Sequence, residues 1–446
     1  MVKIKALWLS ISVTVVNLLP YLLLIGLIQR TQTAVVNVLP FALFYTLRRT
    51  WPFFMRSVKQ TVPANTLIFY GLAVAAGGLL IGSFGQLAPI LWDISGILIG
   101  ISAAILPAVY RWQKQADQLS KRSHQALWQA LGTLSVLLVV STTVHHWPAV
   151  AFLAMAVFPT IGLISAFCQI GWPKWPTQPN GRKISPAEFV LFAGLTGSLL
   201  LVRLGRNTGR GQYLMLAELG LLLLFVALAM LVAYRQVNHQ FKISRLLQLQ
   251  MLLAGQLTDY IAVFSVLYLS ILYGLRAYSG VIVIYILAAL LAHPVVNYCQ
   301  RLFNGQPPYI VNLSGQLFGL LVMLLPYGYY LGVFIVRVFN SGNFQLIDQA
   351  IAALPTEVVP ARMYFRTRLT SIGGIFFQLM LFGILGFQSR LTGQSLNAIL
   401  GAYAFQHPTA RFQTTLTVTQ LIVTLILILT ILGLIRLIKQ QKLRVK

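Results

Sequence analysis

The sequence predicts an all-α, polytopic integral membrane protein with about fourteen transmembrane helices, arranged as two six-helix bundles with two inserted helices between them. The first observation behind this is the poverty of charge. Of 446 residues, 58% are apolar and 9% charged, against roughly 25% charged in a soluble domain, so the chain lacks the polar surface to meet water on every side. The second is the texture of the apolar runs, which are continuous rather than alternating and mostly near the ~20 residues a helix needs to cross the hydrocarbon core. Helices and closed barrels alone satisfy their backbone polar groups there, and unbroken runs select helices. The third is the placement of the bases. Lys and Arg number 33 and Asp and Glu 7, and the bases fall in short gaps between apolar runs, as in the orienting loops of membrane proteins. That placement argues against nucleic acid as the partner, despite a formal charge of +26.

Along the chain, the first run (8–29) follows Lys3 and Lys5. It is too long for a secretory-signal core and no small-x-small cleavage site follows it, so it reads as the first span. Further spans are expected at 32–47, 65–84, 89–110, 126–145, 149–171, 187–204, 213–234, 249–274, 278–298, 312–327, 330–353, 370–388 and 415–437. The runs 32–47 and 312–327 are short, and 330–353 turns polar in its second half. With the N-terminus in the cytoplasm and the spans alternating, 25 bases lie on cytoplasmic segments and 7 outside, with Arg337 inside a span. By the positive-inside rule both termini are expected in the cytoplasm of a cell-membrane protein, with the basic loops resting on anionic lipids of the inner leaflet. One cluster runs against the rule. Arg203, Arg206 and Arg210 fall outside, between the seventh and eighth spans, either in a re-entrant hairpin or, on the preferred reading, against lipid phosphates of the outer face. Residues 172–186 form a Pro-rich basic linker and 389–414 the longest outer segment. The expected division is an N-terminal bundle (1–171), the linker with two inserted helices (172–247) and a C-terminal bundle (248–446).

Catalytic signatures are missing. The sequence has no phosphate-binding Walker loop, no Gly-x-Ser-x-Gly and no His-Glu-x-x-His, and Cys168 and Cys299 have no metal-ligand spacing, so no cofactor or metal is expected. His145 and His146 abut Trp147-Pro148 at an outer turn, either as an interfacial turn or as a pH-sensitive pair. Ionisable groups inside a bilayer are costly and point to function. Asp259, in Gln256-Leu-Thr258-Asp259-Tyr260, lies near the middle of the ninth span and suits the carriage of a proton or cation; the alternative is a hydrogen bond to a neighbouring helix. The twelfth span holds Arg337, Asn340, Asn343, Gln345 and Asp348, several at i, i+3 and i+4 spacing on one face. An arginine in a cavity attracts an anionic or carboxylate group, so Arg337, Asn340 and Asn343 are candidate substrate contacts and Asp348 a second ion-coupling candidate. The alternative there is an arginine that snorkels outward, followed by an ordinary polar helix end. Asp93 and Glu218 sit near outer span ends, and Asn17 and Asn37, beside Pro20 and Pro40, either glue helices together or face a cavity.

The two ends of the chain repeat weakly. Ala103-Ala104-Ile105-Leu106-Pro107 leads into the bases from Arg111 to Arg122, and Ala352-Ala353-Leu354-Pro355 leads into Arg362, Arg366 and Arg368, with 248 residues between the two prolines. Pro40 before Arg48 and Pro294 before Arg301 repeat at an offset near 253. Two stretches carry a family likeness: His293-Pro-Val-Val-Asn297-Tyr-Cys-Gln-Arg301-Leu-Phe-Asn-Gly305-Gln-Pro-Pro308, and Leu354-Pro-Thr-Glu357-Val-Val-Pro360-Ala-Arg362 followed by Ser371-Ile-Gly373-Gly374. They resemble the cytoplasmic turns of the major facilitator superfamily, in its variant with two helices inserted between six-helix halves. The resemblance implies secondary active transport of a small solute by alternating access, with Glu357, Arg362 and Arg366 in a cytoplasmic gate. It also aligns Arg337-x-x-Asn340-Ser-Gly342 with an Arg-x-x-Gln-Gly element of the family. The chain departs from the family where Tyr45-Thr-Leu-Arg48-Arg49-Thr-Trp-Pro52 stands without the usual Asp and Gly, and where the fifth span lacks the Gly-Pro signature of drug/proton antiporters. The missing Gly-Pro signature counts against proton-driven drug export and points to a divergent member or to one with another cargo.

The expected function is therefore transport of an unidentified small molecule and not enzymic catalysis. The alternatives are a flippase for an anionic lipid-linked precursor, a non-transporting membrane scaffold, and an enzyme of the polytopic glycosyltransferase type. The last needs catalytic groups on a large outer loop, and 389–414 offers only His407.

Overall fold

In the computed structural model, the described residues are 2–30, 35–57, 63–116, 123–170 apart from His145, 186–208, 244–353 apart from Pro326, 359–399 apart from Asn397, and 410–444, with isolated positions elsewhere. Every long regular element among them is an α-helix. The expected linker, most of the span at 213–234, Arg210, Glu218, Glu357 and His407 lie outside the described residues, as do the side chains of Arg206 and Arg362.

The first half of the chain begins with α1 (Val2–Leu18) and α2 (Pro20–Arg30), followed by α3 (Val35–Ser57) and α4 (Ala64–Ser83). It continues through α5 (Ile90–Ala116), α6 (Ser123–Thr143), α7 (Pro148–Ile170) and α8 (Pro186–Thr208). The second half has α9 (Arg245–Asp259), a π-helical turn (Tyr260–Phe264) and α10 (Ser265–Tyr273). Then come α11 (Leu275–Leu302), α12 (Pro308–Val322), α13 (Tyr329–Ala352), α14 (Val359–Leu391) and α15 (Gln413–Arg444). By length and composition seven stretches of helix among the described residues can cross a membrane, or eight if a pair bent by 53° within α11 counts as one span. Exposed apolar side chains supply the outer surface these spans require. Leu421, Leu425, Leu429 and Leu432 form one open stripe along α15, and Leu153, Val157, Ile164 and Phe167 another along α7. A soluble monomer rarely exposes such contiguous patches.

The helices gather into two compact units. Unit 1 contains α1–α8 and the start of α14 as far as Arg368; unit 2 contains α9–α13, α14 from Leu369, and α15. In unit 1, α5 packs between α3 and α4, α7 packs on α4 and α1, and α8 lies along α3. In unit 2, α13 packs on α11, α12 and α9, and the core joins Leu257, Tyr260 and Phe264 to Phe377, Leu381, Val423 and Leu427.

Three expectations about the spans change. The run expected at 32–47 is a helix over Val35–Ser57, so Arg48 and Arg49 lie inside it and not in the loop that follows. Hydropathy ends at the first charge, whereas the backbone continues because both arginines find partners within the protein. The first span is interrupted at Leu19, where Pro20 lacks the N–H that would continue the ladder. The ninth span is interrupted after Asp259 by the π turn, a device that inserts one residue without any Gly or Pro and is frequent at functional sites. The first span of each half thus changes its winding just beyond a polar residue, Asn17 in one and Asp259 in the other.

Small residues let helices touch backbone to backbone. A Cβ on Gly255 would strike the carbonyl oxygen of Thr370, and one on Gly373 that of Leu252, so α9 and α14 cross at a reciprocal pair of glycines. Gly383, nearly three turns further along α14, faces open space. Gly373→Ala is expected to destabilise the protein by about 1–3 kcal/mol through overpacking. Gly383→Ala should leave stability unchanged or raise it by up to about 1 kcal/mol. Unfolding in mixed micelles measures both, and equal effects would contradict the crossing.

Candidate functional site

The α9–α14 crossing places a carboxylate among side chains with nowhere else to turn. Asp259 is fully buried, and the Gln378 side-chain N–H2 on α14, itself buried, donates to its Oδ2 at 2.8 Å. Next to it on α9, the Thr258 hydroxyl donates to the Ala254 carbonyl, one turn back, at 2.7 Å. Asn340 of α13 donates from Nδ2 to both the Ala254 carbonyl and the Thr258 Oγ1, at 3.2 Å each. Asp259, Gln378, Thr258 and Asn340 therefore tie α9 to α14 and α13 through adjacent polar residues. Beyond Asp259 the π turn carries a run of aromatics. Tyr260 stacks on Phe264 with ring centroids 5.4 Å apart and shares a hydrogen bond of 2.7 Å with Thr424, and Tyr268 stacks on Tyr329 at 5.3 Å. The Tyr329 hydroxyl donates to Ser265 at 2.9 Å.

Several amides of unit 2 are buried with atoms unmatched. Asn340 Oδ1 and Asn343 Oδ1 have no hydrogen-bond partner, and neither do both polar atoms of Asn312 and of Gln316 on α12. Leaving a buried polar group unsatisfied costs about 1–3 kcal/mol. Buried unmatched groups are exceptions in native structures, and a ligand or ordered water resolves them. Carboxamides offer both donors and acceptors, which suits a polar solute.

Of the residues expected to form the site, the structure brings Asp259 and Asn340 onto adjacent turns of one helix crossing. Asn343 is buried one turn further along α13. Arg337 is half-buried, with its guanidinium 4.1 Å from the centroid of the Tyr285 ring of α11. Asp348 is half-buried eight residues beyond Asn340, about 12 Å along the helix axis, and so lies well away from Asp259. Arg366 and Arg368 are buried on the part of α14 that belongs to unit 1. Gln378 and Thr258 complete the Asp259 group. Thr258 adjoins Asp259 in the sequence, whereas nothing in an apolar run marks one glutamine as a carboxylate partner.

Unit 1 holds a second polar centre. Arg48 donates from Nη2 to Asn17 Oδ1 at 2.6 Å, and its guanidinium lies 4.8 Å from the Tyr21 ring centroid. Arg49 lies 5.6 Å and Arg203 3.4 Å from the Tyr45 centroid, and the Tyr21 and Tyr45 rings meet edge to face at 6.3 Å. Arg203 is 2% exposed. It therefore does not reach outer-face phosphates as expected: the rule that counts bases at span ends carries no information about where a long side chain points. The helix bearing it is fixed to α3 by the Thr196–Thr50 hydrogen bond of 2.9 Å and by Phe189 and Phe192 packed against Trp51 and Phe54. Each cation–π contact contributes about 0.5–2 kcal/mol, less than the several kcal/mol of desolvation for a buried ion.

No protein-family model and no curated protein matches the sequence. Solved structures do match in fold. A peptide transporter of the POT type in complex with sulfate aligns with a TM-score of 0.59 at 14% identity, over 98% of this chain and 95% of the other. A POT family transporter bound to a thioalcohol-conjugated peptide aligns at 0.54 and 14%, over 97% and 96%. A bacterial homologue of the human drug peptide transporters PepT1 and PepT2 aligns at 0.53 and 8%, over 100% and 98%. At these identities the likeness shows the fold alone: the chain shares the helical fold of these solved transporters.

The Asp259–Gln378 bond has a measurable coupling. Gln378→Leu removes a charge-assisted hydrogen bond and is expected to cost about 1.5–3 kcal/mol of stability. With Asp259→Asn already present the same substitution should cost less, leaving a coupling of at least about 0.5 kcal/mol in the double-mutant cycle. Additive effects would contradict the pairing.

Proposed function

We propose that the chain is a secondary active transporter that moves a small polar solute across the cytoplasmic membrane by alternating access. The observation that carries this reading is Asp259. It is a fully buried carboxylate at a π turn, held by Gln378 and flanked by amides with unmatched atoms, in a fold whose solved neighbours are transporters. Such folds bind substrate and coupling ion where helices are discontinuous, and a carboxylate within a span is the group that takes up and releases a proton or cation.

On this reading Asp259 couples an ion, with Asp348 as a second coupling candidate nearer the end of α13. Asn340 and Asn343 contact the solute, and Arg337 attracts its anionic group. Glu357, Arg362 and Arg366 belong to a cytoplasmic gate. The proposed topology has fourteen spans, six in residues 1–171, two inserted in 172–247 and six in 248–446, with both termini in the cytoplasm. Solved neighbours in complex with a peptide conjugate, 5-aminolevulinic acid and sulfate direct the search toward solutes that combine amide or amine groups with an anionic end.

Reconstituted proteoliposomes test the reading. Radiolabelled di- and tripeptides and amino acids are offered under an inward proton or sodium gradient. The wild type is expected to accumulate at least one of them above its external concentration. Asp259→Asn should lose accumulation yet keep exchange of that solute across the membrane, because coupling and binding reside in different groups. Gradient-driven accumulation by Asp259→Asn equal to wild type would remove Asp259 from the mechanism. Failure of the whole panel to move would set the transport reading aside.

A further inference from the structure

We propose that the end of α11 holds a phospholipid site, in which Asn297, Gln300, Arg301 and Asn304 bind the headgroup of a singly charged, hydroxyl-bearing lipid such as phosphatidylglycerol. The cavity is the first argument. These four side chains line a cleft of about 440 Å³ in unit 2, within the range of about 300–1,000 Å³ usual for small-molecule sites. Such sites are mostly apolar, whereas this lining is three carboxamides and a guanidinium. Among the described residues, Gln300, Arg301 and Asn304 make no side-chain hydrogen bond, ion pair or ring contact, and Asn297 meets only His293, at 3.2 Å. The donors and acceptors of the cleft are therefore open to a ligand.

The neighbouring face of the same helix is the second argument. Leu291, Tyr298 and Leu302 are 45%, 67% and 64% exposed, and their spacing of seven and then four residues aligns them in one stripe. From Leu291 to Leu302 the stripe runs about 16 Å, close to the depth of one leaflet of a hydrocarbon core about 30 Å thick. Arg301, three residues after Tyr298 and four after Asn297, borders both the stripe and the polar face. An acyl chain laid along the leucines brings its headgroup to the guanidinium, with Tyr298 at the aromatic level of the membrane surface.

Charge and hydrogen bonding select the headgroup. The lining contains no carboxylate, so a metal ion finds no counter-charge there. One guanidinium balances one negative charge, and its planar fork of N–H donors fits the two free oxygens of a phosphodiester. Carboxamides both donate and accept, which matches the hydroxyls of a glycerol headgroup better than a bare phosphate. Basic loops draw anionic lipid to a membrane surface in general; the cleft adds a place for one molecule. A soluble glycerol phosphate carries the same polar groups without the acyl chains, so the apolar stripe separates the two. The site shares no residue with the Asp259 group and stands whether or not the protein transports.

The test uses the full-length protein in phosphatidylcholine nanodiscs, with the unfolding temperature as the readout. In one arm phosphatidylglycerol replaces a rising fraction of the lipid; in the other glycerol 3-phosphate is titrated at constant ionic strength. Stabilisation is expected to saturate at a low fraction of phosphatidylglycerol and to be far weaker with the soluble ester. Arg301→Gln should raise the fraction needed for half-maximal stabilisation about tenfold through loss of a charge-assisted contact. Gln300→Ala combined with Asn304→Ala leaves the charge unchanged and should raise it about threefold or more through lost neutral hydrogen bonds. Arg301 and Asn304 are exposed and Gln300 is half-buried, so these variants are expected to fold. Arg436→Gln removes an exposed base near the end of α15 and measures bare electrostatic attraction; its effect should be clearly smaller than that of Arg301→Gln. Four results would each overturn the proposal: no stabilisation by phosphatidylglycerol, equal stabilisation by glycerol 3-phosphate, equal losses in Arg301→Gln and Arg436→Gln, or an amide double variant that behaves as wild type.

Discussion

Hydrocarbon offers no hydrogen bonds, and every feature of this structure follows from that constraint. The chain meets it first with the backbone, which is helical through nearly all its described length. It meets it next with side chains. Among the described polar groups inside the spans, some are bonded across helices, as Gln378 is to Asp259 and Arg48 to Asn17, others are stacked on tyrosine rings, as Arg203 and Arg337 are, and the amides of Asn312 and Gln316 are left unmatched. Glycines at Gly255 and Gly373 bring α9 and α14 close enough for the first of these bonds to form. Packing and chemistry are thus one design at that crossing.

The two units resolve the constraint differently. Unit 2 gathers a buried carboxylate and neutral amides. Unit 1 gathers guanidinium groups and phenol rings. In each, the polar centre sits where the first span changes its winding, at Pro20 in one and at the π turn in the other. Helix interruptions free backbone groups and reorient side chains, which is why membrane transport folds place their sites there.

Much of this was legible in the sequence. Charge poverty, run length and the distribution of bases predicted a polytopic helical protein, and short repeated turns pointed to a fold that the solved neighbours share. Asp259 and Asn340 stood out because a polar residue inside an apolar run carries a cost that demands a reason. What was not legible depends on partners distant in sequence. Gln378 gained its meaning only from lying opposite Asp259. Arg48 and Arg49 seemed to end a span because hydropathy treats an arginine as a surface residue, whereas Asn17 and two tyrosines hold them within a helix. Arg203 misled for the same reason, and the π turn left no mark because it needs no Gly or Pro. Glu357 and Arg362 still rest on family resemblance.

The central claim is that two helical units alternate under the control of Asp259, and a distance between the units measures it. Spin labels at Leu87 and Tyr327, both highly exposed and expected on the outer side, can be introduced as cysteines once Cys168 and Cys299 are replaced by serine. Pulsed electron resonance on the reconstituted protein then reads the separation of one unit from the other. Two populations are predicted, with proportions that shift when the ion gradient is changed and that no longer shift in Asp259→Asn. A single distance, unmoved by gradient or substitution, would contradict the account.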